Sequence, residues 1–453
     1  MRIMKAGFSI ADITPDMGIY LTGYGRPERL ADSVHSPLQA SVMVLQEGDK
    51  TCAVVALDWC FVDWALTREI RKGISALTSI AEDHILLPCS HTHSAPHTTY
   101  ARTLGRTAVD PEEKGIRYVF DQIPVIARAV QEALDHLREC KVAFGHTTTE
   151  TGVSRRGSDE NGVIAGFIED PRQIYDNNMT VVSFRDAQTG EDLGILVHAS
   201  AHNTAMGGSF AISSDWCGVM KRRIRDRYNV PVVFTNGALG DVGPRTNRWC
   251  AYRPGLEGYS AGGGDGPSSA EEVGYRAASD ALRVLEGMRD FRQDLPLKIH
   301  VGQLALPQEL SMSREEAASI LKEYDSMEEQ KEPDTRYQVA KSLYEAWQKP
   351  LEETLELEQT LIAFGPVALV PFPFEMFSIF SLRLRKYGPF EYTLMLSNTN
   401  GRNAYLPDRG AFAMGGYEVE CLKTIRPYVV NPQAGDLAVS QSLASLRSMI
   451  NNG

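Results

Sequence analysis

The sequence predicts a mixed α/β fold, a layered β-sheet core with flanking helices. Short β-branched or apolar runs, each ending abruptly in polar residues, alternate with longer stretches whose apolar residues recur at three-to-four spacing. The chain has 453 residues, 43% hydrophobic and 23% charged, which is enough apolar material for a sizeable core. Internal repeats and low-complexity tracts are absent. Alternation of this kind builds sheets covered by helices.

Taken in order, "GFSIADITP" reads as the first strand, and "TCAVVALDWC" as a second that ends near Asp58. Residues 66–81 carry helical spacing, and "HILLPC" then runs into His91 and His93. A second helix is expected over 116–137. "GILVHASA" runs into "HNTAMGG", and "VPVVFTNGALGD" into Asp241. Residues 255–269 form a Gly-rich stretch without the spacing of a phosphate-binding loop, so a flexible surface loop is expected there. "SSAEE" next supplies a helix N-cap signal for a helix over 270–288. Residues 312–358, charged and helix-favouring, read as a helical excursion from the core. "YTLMLSNTNGRNAY" is a last strand running into Tyr405. We read residues 1–453 as one domain.

The formal charge is −12 with no block of Lys or Arg, so nucleic acid is not an expected partner. No apolar run reaches the roughly 18 residues of a membrane span. The N-terminus lacks the apolar core and cleavage site of a signal peptide, and the seven Cys are scattered without a CxxC pair. A reducing cytoplasm is the expected setting. The sequence leaves the oligomeric state open, a homo-oligomer included.

"LLPCSHTHSAPHTT" places His91, His93 and His97 within seven residues. On a strand, residues two apart point to the same side, so His91 and His93 project together. Two such imidazoles can meet one Zn²⁺, but a site needs a third and usually a fourth ligand. Hydrogen-bonded structural histidines are the alternative, and Cys89 is a nucleophile or, more simply, a buried thiol. His198 and His202 stand at a second strand end, and Glu375 in "VPFPFEMF" is a carboxylate among apolar residues. A carboxylate there is costly to bury without a cation or hydrogen bonds. Two His and a carboxylate with an open position describe a catalytic zinc site.

The order and context of these pieces resemble the neutral/alkaline non-lysosomal ceramidase family, in its N-terminal catalytic domain. The segments that carry the resemblance are "AGFSIADITPDMGIYLTGYG", "SHTHSAPH", "SRRGS", "HNTAMGGSFAISSDWCG", "TNGALGDVGPR", "PFPFEMF" and "NGRNAYLPDRGAFAMGGYE". The match suggests one of the shorter bacterial relatives, without the family's C-terminal β-sandwich domain. The resemblance implies zinc ligands at His91, His202, Glu375 and Tyr405. It implies that His93 faces the substrate and stabilises the oxyanion, with Arg155 and Tyr417 beside it. Arg156 is close enough to leave the arginine register open, and His97 is left as structural. The family's GDxSP serine is Gly243 here, in "GDVGP", so a hydroxyl is missing next to Asp241. Asp241 and Gly243 are expected near the substrate, with a turn-holding role for Asp241 as the alternative.

The function implied is a zinc-dependent hydrolase that cleaves a linear amide with a metal-activated water. The substrate would be small and soluble rather than a long-chain ceramide. An ester or lactone hydrolase could use the same site, and a non-catalytic zinc- or carbohydrate-binding relative is the reading from a different class. Retention of the oxyanion candidates together with the presumed ligands argues against that last reading.

Overall fold

The structure is a computed structural model. It describes residues 3–24, 29–99, 110–159, 161–164, 167–246, 266–326, 335–347, 352–425 and 427–451. The eight-stranded sheet runs in the order Val232–Asn236, Asp192–Ala199, Asn178–Asp186, Arg138–Thr148, Lys5–Asp12, Gln39–Glu47, Lys50–Leu57, Ile85–Leu86. The pairings at its two edges, Val232–Asn236 with Asp192–Ala199 and Lys50–Leu57 with Ile85–Leu86, are parallel; the rest are antiparallel. A second sheet runs Tyr392–Leu396, Val367–Pro371, Thr354–Phe364, Leu297–Leu310, Tyr428–Val430.

The period-2 alternation of the strands explains how these layers stack. Met43 and Leu45 enter the same core cluster as Ile362, Phe364, Leu394 and Leu396, so the two sheets share an interior. Val42 and Val44, one residue out of step, pack with Leu66, Ile70 and Ile126 of the helices Trp64–Thr78 and Asp110–Asp135. Val181 and Val197 meet Trp216, Met220, Val273 and Ala277 of the helices Asp215–Tyr228 and Pro267–Gly287. On the far side, Leu361, Ala363 and Met395 pack against Phe380, Leu443 and Leu446 of the helices Ser378–Tyr387 and Ala434–Asn451. Helix, sheet, sheet and helix therefore form four layers, the layered α/β core expected from the sequence.

Several boundaries differ from the expectation. The helix expected over 270–288 starts at Pro267, with Gly266 as its N-cap, so Pro at the first turn marks the start rather than the serines that follow. The Gly-rich stretch up to residue 265 lies outside the described residues. The excursion over 312–358 contains two helices, Arg314–Asp325 and Thr335–Ala346, which bury Ala317, Ile320, Val339 and Leu343 together. From Thr354 onward the chain is a strand of the second sheet, where β-branched and apolar residues resume.

Candidate active site

The eight-stranded sheet ends in loops that converge on one buried cluster. The strand leading to it is short, Ile85–Leu86, and beyond it the chain is held by isolated bridges, Leu57 to Cys89 and Thr92 to Asn203. His91 and His93 therefore do not sit on a regular strand, contrary to the expectation. They converge because His91 adopts a left-handed backbone, φ 69°, a conformation that costs a non-glycine residue roughly 1–2 kcal/mol. Its Nε2 lies 3.2 Å from His93 Nε2.

His202 follows the strand Asp192–Ala199, and Glu375 lies on a two-residue strand, Glu375–Met376, just before the helix Ser378–Tyr387. That strand pairs in parallel with Tyr405–Leu406, which places Glu375 and Tyr405 opposite each other. Gly240 allows this approach, since a Cβ there would stand 2.5 Å from the Glu375 carbonyl oxygen. His91 Nε2 and His202 Nε2 lie 3.4 and 3.2 Å from the same oxygen, Glu375 Oε2. Neither His202 Nε2 nor Glu375 Oε2 has a hydrogen bond of proper geometry, although both are buried. Ligand atoms from His91, His202 and Glu375 all fall within 4.8 Å of one another.

The far nitrogens of both rings are occupied. His91 Nδ1 lies 2.8 Å from the Cys60 carbonyl, and His202 Nδ1 lies 2.6 Å from the Leu239 carbonyl and 3.2 Å from that of Val242. A ring nitrogen beside a carbonyl carries a proton, so in the neutral form of either ring Nε2 is the nitrogen that presents a lone pair inward. Burial pulls His202 down to about 3, keeping it neutral. Burial opposes charge on His91 too, but Cys60 and Glu375 outweigh it and raise this imidazole to about 10. Glu375 is held well below the carboxylate range by the two histidines, against its burial. A buried cluster of this kind could hold a cation, and its donor set, two imidazoles and a carboxylate, suits a divalent metal.

Around the cluster stand the other expected residues. His93, half-buried and close to His91 and His202, is pulled well below its ordinary value by desolvation and those two rings and is a neutral ring. Tyr24 packs edge-on against it at 4.9 Å. Tyr405 is buried, stacked 6.5 Å from His202, and Arg155 Nη2 donates to its hydroxyl at 3.0 Å. Tyr417 is half exposed, 6.0 Å from the Tyr405 ring. Arg155 Nε also donates to Glu418 Oε1 at 2.9 Å, and Arg156 donates to Glu418 Oε2 and, at 2.6 Å, to the Gly415 carbonyl. Only Arg155, of the two arginines, carries a hydrogen bond to Tyr405 among the described contacts.

Asp241 directs Oδ1 to the Ser378 backbone N–H at 2.9 Å and to its hydroxyl at 2.8 Å, capping the helix Ser378–Tyr387 from outside. Burial raises this carboxyl to about 7, against those hydrogen bonds. Gly243 lies opposite Val153 in a two-stranded ribbon, Gly152–Ser154 with Val242–Pro244. His198 bonds to Thr235 at 3.0 Å on the sheet and is not among the converging ligand atoms. Cys89 is buried and its thiol is pushed up, an inert setting for a nucleophile.

The sequence reading missed Glu418, and it took the polar loop "NTNGRN", which holds Asn398 and Arg402, as a substrate-gripping stretch without singling out either residue. Glu418 follows Tyr417 directly, and an acidic residue beside an apolar helix start, with two arginines far away in sequence, gives no pattern to read. Asn398 Nδ2 lies 3.1 Å from His91 Nδ1. Arg402 lies over the Phe61 ring at 3.8 Å, and Phe61 lies 6.3 Å from the His91 ring.

A buried His–His–Glu cluster at the sheet ends of a four-layer α/β fold, walled by arginine and tyrosine, is a candidate hydrolase site. The family profile described as neutral/alkaline non-lysosomal ceramidase, N-terminal, matches residues 4–260, and the chain belongs to that family. In fold it is similar to the crystal structure of neutral ceramidase from Pseudomonas aeruginosa, with a TM-score of 0.72 at 17% identity, covering 100% of this chain and 75% of that one. It is also similar to a ceramidase complexed with C2, with a TM-score of 0.71 at 16% identity, covering 100% and 76%. At these identities the likeness is one of fold. No curated protein matches the chain. No helix among the described residues is long and apolar enough to cross a membrane.

Proposed function

We propose that the chain is a zinc-dependent hydrolase of a linear amide, acting as a single domain on a small, soluble substrate in the cytoplasm. The observation that carries this reading is the meeting of His91 Nε2, His202 Nε2 and Glu375 Oε2 in a buried space, with the opposite nitrogens tied to backbone carbonyls. His91, His202 and Glu375 would hold the zinc, with Tyr405 as the fourth ligand. When bound, zinc would bring a water's pKa from 15.7 to about 7, making a nucleophile at neutral pH without the serine that Gly243 replaces.

The protein's own residues then divide the remaining work. His93, neutral and pressed against the cluster, offers a hydrogen bond to a developing oxyanion. Arg155 places its guanidinium on Tyr405 and is kept charged by Tyr405, Glu418 and Glu375 despite its burial. Tyr417, at the exposed edge, closes the wall on the substrate side. Asp241 and Gly243 support this wall through the ribbon and the helix cap, and Arg156 fixes the loop carrying Arg155. The cytoplasmic setting is supported by the six described cysteines, all buried and none in a disulfide.

The test is metal analysis of the purified protein, followed by a screen of amides, esters and lactones with and without chelator. We expect about one zinc per chain and chelator-sensitive cleavage of short soluble amides. Robust hydrolysis of long-chain ceramide in detergent, with little activity on short amides, would overturn the substrate assignment. Preference for esters or lactones would move the reading to that chemistry, and zinc without any turnover would leave a binding protein.

A further inference from the structure

We propose that Asn236 is a positioning residue that sets the spacing of two imidazoles, its carboxamide tying together the peptide groups that lead into His91 and His202. The inference rests on the metal-site reading above and concerns the same cluster.

Asn236 ends the strand Val232–Asn236, within "TNGALGD", and is completely buried. Its Nδ2 donates to the Ser90 carbonyl at 2.8 Å and to the Ala201 carbonyl at 2.8 Å. Its Oδ1 accepts from the Ala201 backbone N–H at 3.2 Å. Ser90 immediately precedes His91, and Ala201 immediately precedes His202. Both protons of Nδ2 are therefore spent on the residues in front of two proposed ligands. The amide cannot be turned over, because Oδ1 would then face two carbonyl oxygens. Gly237 lets the strand end come this close, since a Cβ there would stand 2.3 Å from Ser200 Oγ.

The effect on the ligands runs through two peptide planes. The Ser90 carbonyl and the His91 N–H belong to one plane. Asn236 holds the carbonyl side, joined there by Asn203 Nδ2, and the Trp59 carbonyl takes the N–H at 2.9 Å. With both edges fixed, the left-handed backbone of His91, φ 69°, is imposed by its surroundings, as such a conformation requires. The plane between Ala201 and His202 is held in the same way. Asn236 takes its carbonyl, and the Val242 carbonyl takes the His202 N–H at 3.0 Å. The side chains that leave these planes bring His91 Nε2 and His202 Nε2 to 3.4 and 3.2 Å from Glu375 Oε2. One carboxamide thus joins the two planes directly, and a change in it moves one imidazole against the other.

The experiment uses the full chain with zinc and with cobalt. Asn236→Leu keeps a similar volume without hydrogen bonds. Asn236→Ser is the gentler change, with one short hydroxyl, and stands in if the leucine variant does not fold. Thr235→Val is the control on the same strand, because its hydroxyl meets His198 at 3.0 Å and not the cluster. Zinc affinity is measured by competition with a chromophoric chelator, next to the visible absorption of the cobalt-loaded protein and the melting temperature. Loss of a residue that orients metal ligands lowers metal affinity about 10- to 100-fold, so we expect each Asn236 variant to bind zinc at least about 10-fold more weakly, with a shifted cobalt spectrum. Thr235→Val should lower the melting temperature and keep the zinc affinity and cobalt spectrum of the wild type. Wild-type affinity and an unchanged spectrum in a folded Asn236 variant overturn the inference and leave the metal-site reading standing. An equal loss of affinity in Thr235→Val overturns it too, since general loosening of the strand would then be the cause. A wild-type chain that binds neither metal sinks the metal-site reading, and the inference falls with it.

Discussion

Glu418→Gln is the perturbation whose consequences the structure defines most closely. Glu418, Arg155 and Arg156 are 1%, 4% and 7% exposed, so their mutual attraction is little screened by solvent. One carboxylate oxygen takes Arg155 Nε at 2.9 Å and the other takes Arg156. Glutamine keeps the volume and one acceptor, but it turns an N–H₂ toward one guanidinium and leaves two buried cations without their shared anion. Breaking a buried pair costs about 3–5 kcal/mol, and the retained acceptor puts this case near 3 kcal/mol. The same change frees the angle of Arg155, whose Nη2 sits on the Tyr405 hydroxyl at 3.0 Å. Loss of one well-placed oxyanion donor lowers kcat about 10²–10³-fold. The assay pairs urea unfolding with kcat per bound metal, so that a loss of folded protein is separated from a loss of catalysis. Glu418→Asp, which keeps the charge on a shorter arm, should recover part of both. A Gln variant with wild-type kcat per bound metal would refute the positioning role, and one with an unchanged urea midpoint would refute the energetic argument.

Further outcomes follow from the same geometry. His202→Ala should lose both metal and activity, whereas His93→Ala should keep the metal and lose mainly kcat, by about 10²-fold or more; equal metal loss in the two variants, read by metal analysis, would show His93 to be a ligand. Asp241 is raised to about 7 in the folded state, above the ordinary carboxyl value near 3.9, so the folded state binds its proton more tightly. Its contribution to stability is then greatest below about pH 4 and declines as pH rises to about 7, by up to about 4 kcal/mol. Asp241→Asn should gain stability over wild type between pH 4 and pH 8 by that order in urea unfolding; a constant difference at both pH values refutes the buried-carboxyl assignment. With Gly243 in place of a hydroxyl, rapid-quench kinetics should show no burst, and a trapped acyl adduct on any side chain would contradict the metal-activated water.

The layers of the fold were legible because apolar runs and helical spacings alternate along the chain. The strand Gln39–Glu47 was not picked out: Met43 and Val44 face opposite cores one residue apart, so the strand is buried on both faces and shows no alternation. His91, His202 and Glu375 could be picked out because polar residues at the ends of apolar strands are costly unless they share a purpose. The turn that brings His91 to His93 was not legible. The spacing suggested a strand, and the actual cause is a left-handed backbone at His91, a conformation set by packing around it rather than by the residue. Glu418, and the particular role of Arg402 within its polar loop, were hidden for a related reason. Their partners, Arg155 and Phe61, lie hundreds of residues away, and a charged residue in a polar stretch looks like any solvated one.

The ribbon formed by Gly152–Ser154 and Val242–Pro244 connects these pieces and gives meaning to the glycine at 243. Val242 contributes its carbonyl to the backbone N–H of His202 at 3.0 Å and to its Nδ1 at 3.2 Å, so one end of the ribbon orients a proposed ligand. The other strand leads straight into Arg155, whose backbone N–H is held at 3.0 Å by the Asp241 carbonyl. Asp241 in turn caps the helix that follows Glu375. Position 243 therefore lies between the element that orients His202 and the one that carries Arg155. Both connections run through backbone carbonyls, so neither depends on a side chain at 243. Loss of a hydroxyl at 243 removes one chemical route and leaves the scaffold of the other intact. Within the proposed function, the glycine at 243 is therefore compatible with a metal-activated water, a nucleophile that needs no hydroxyl there.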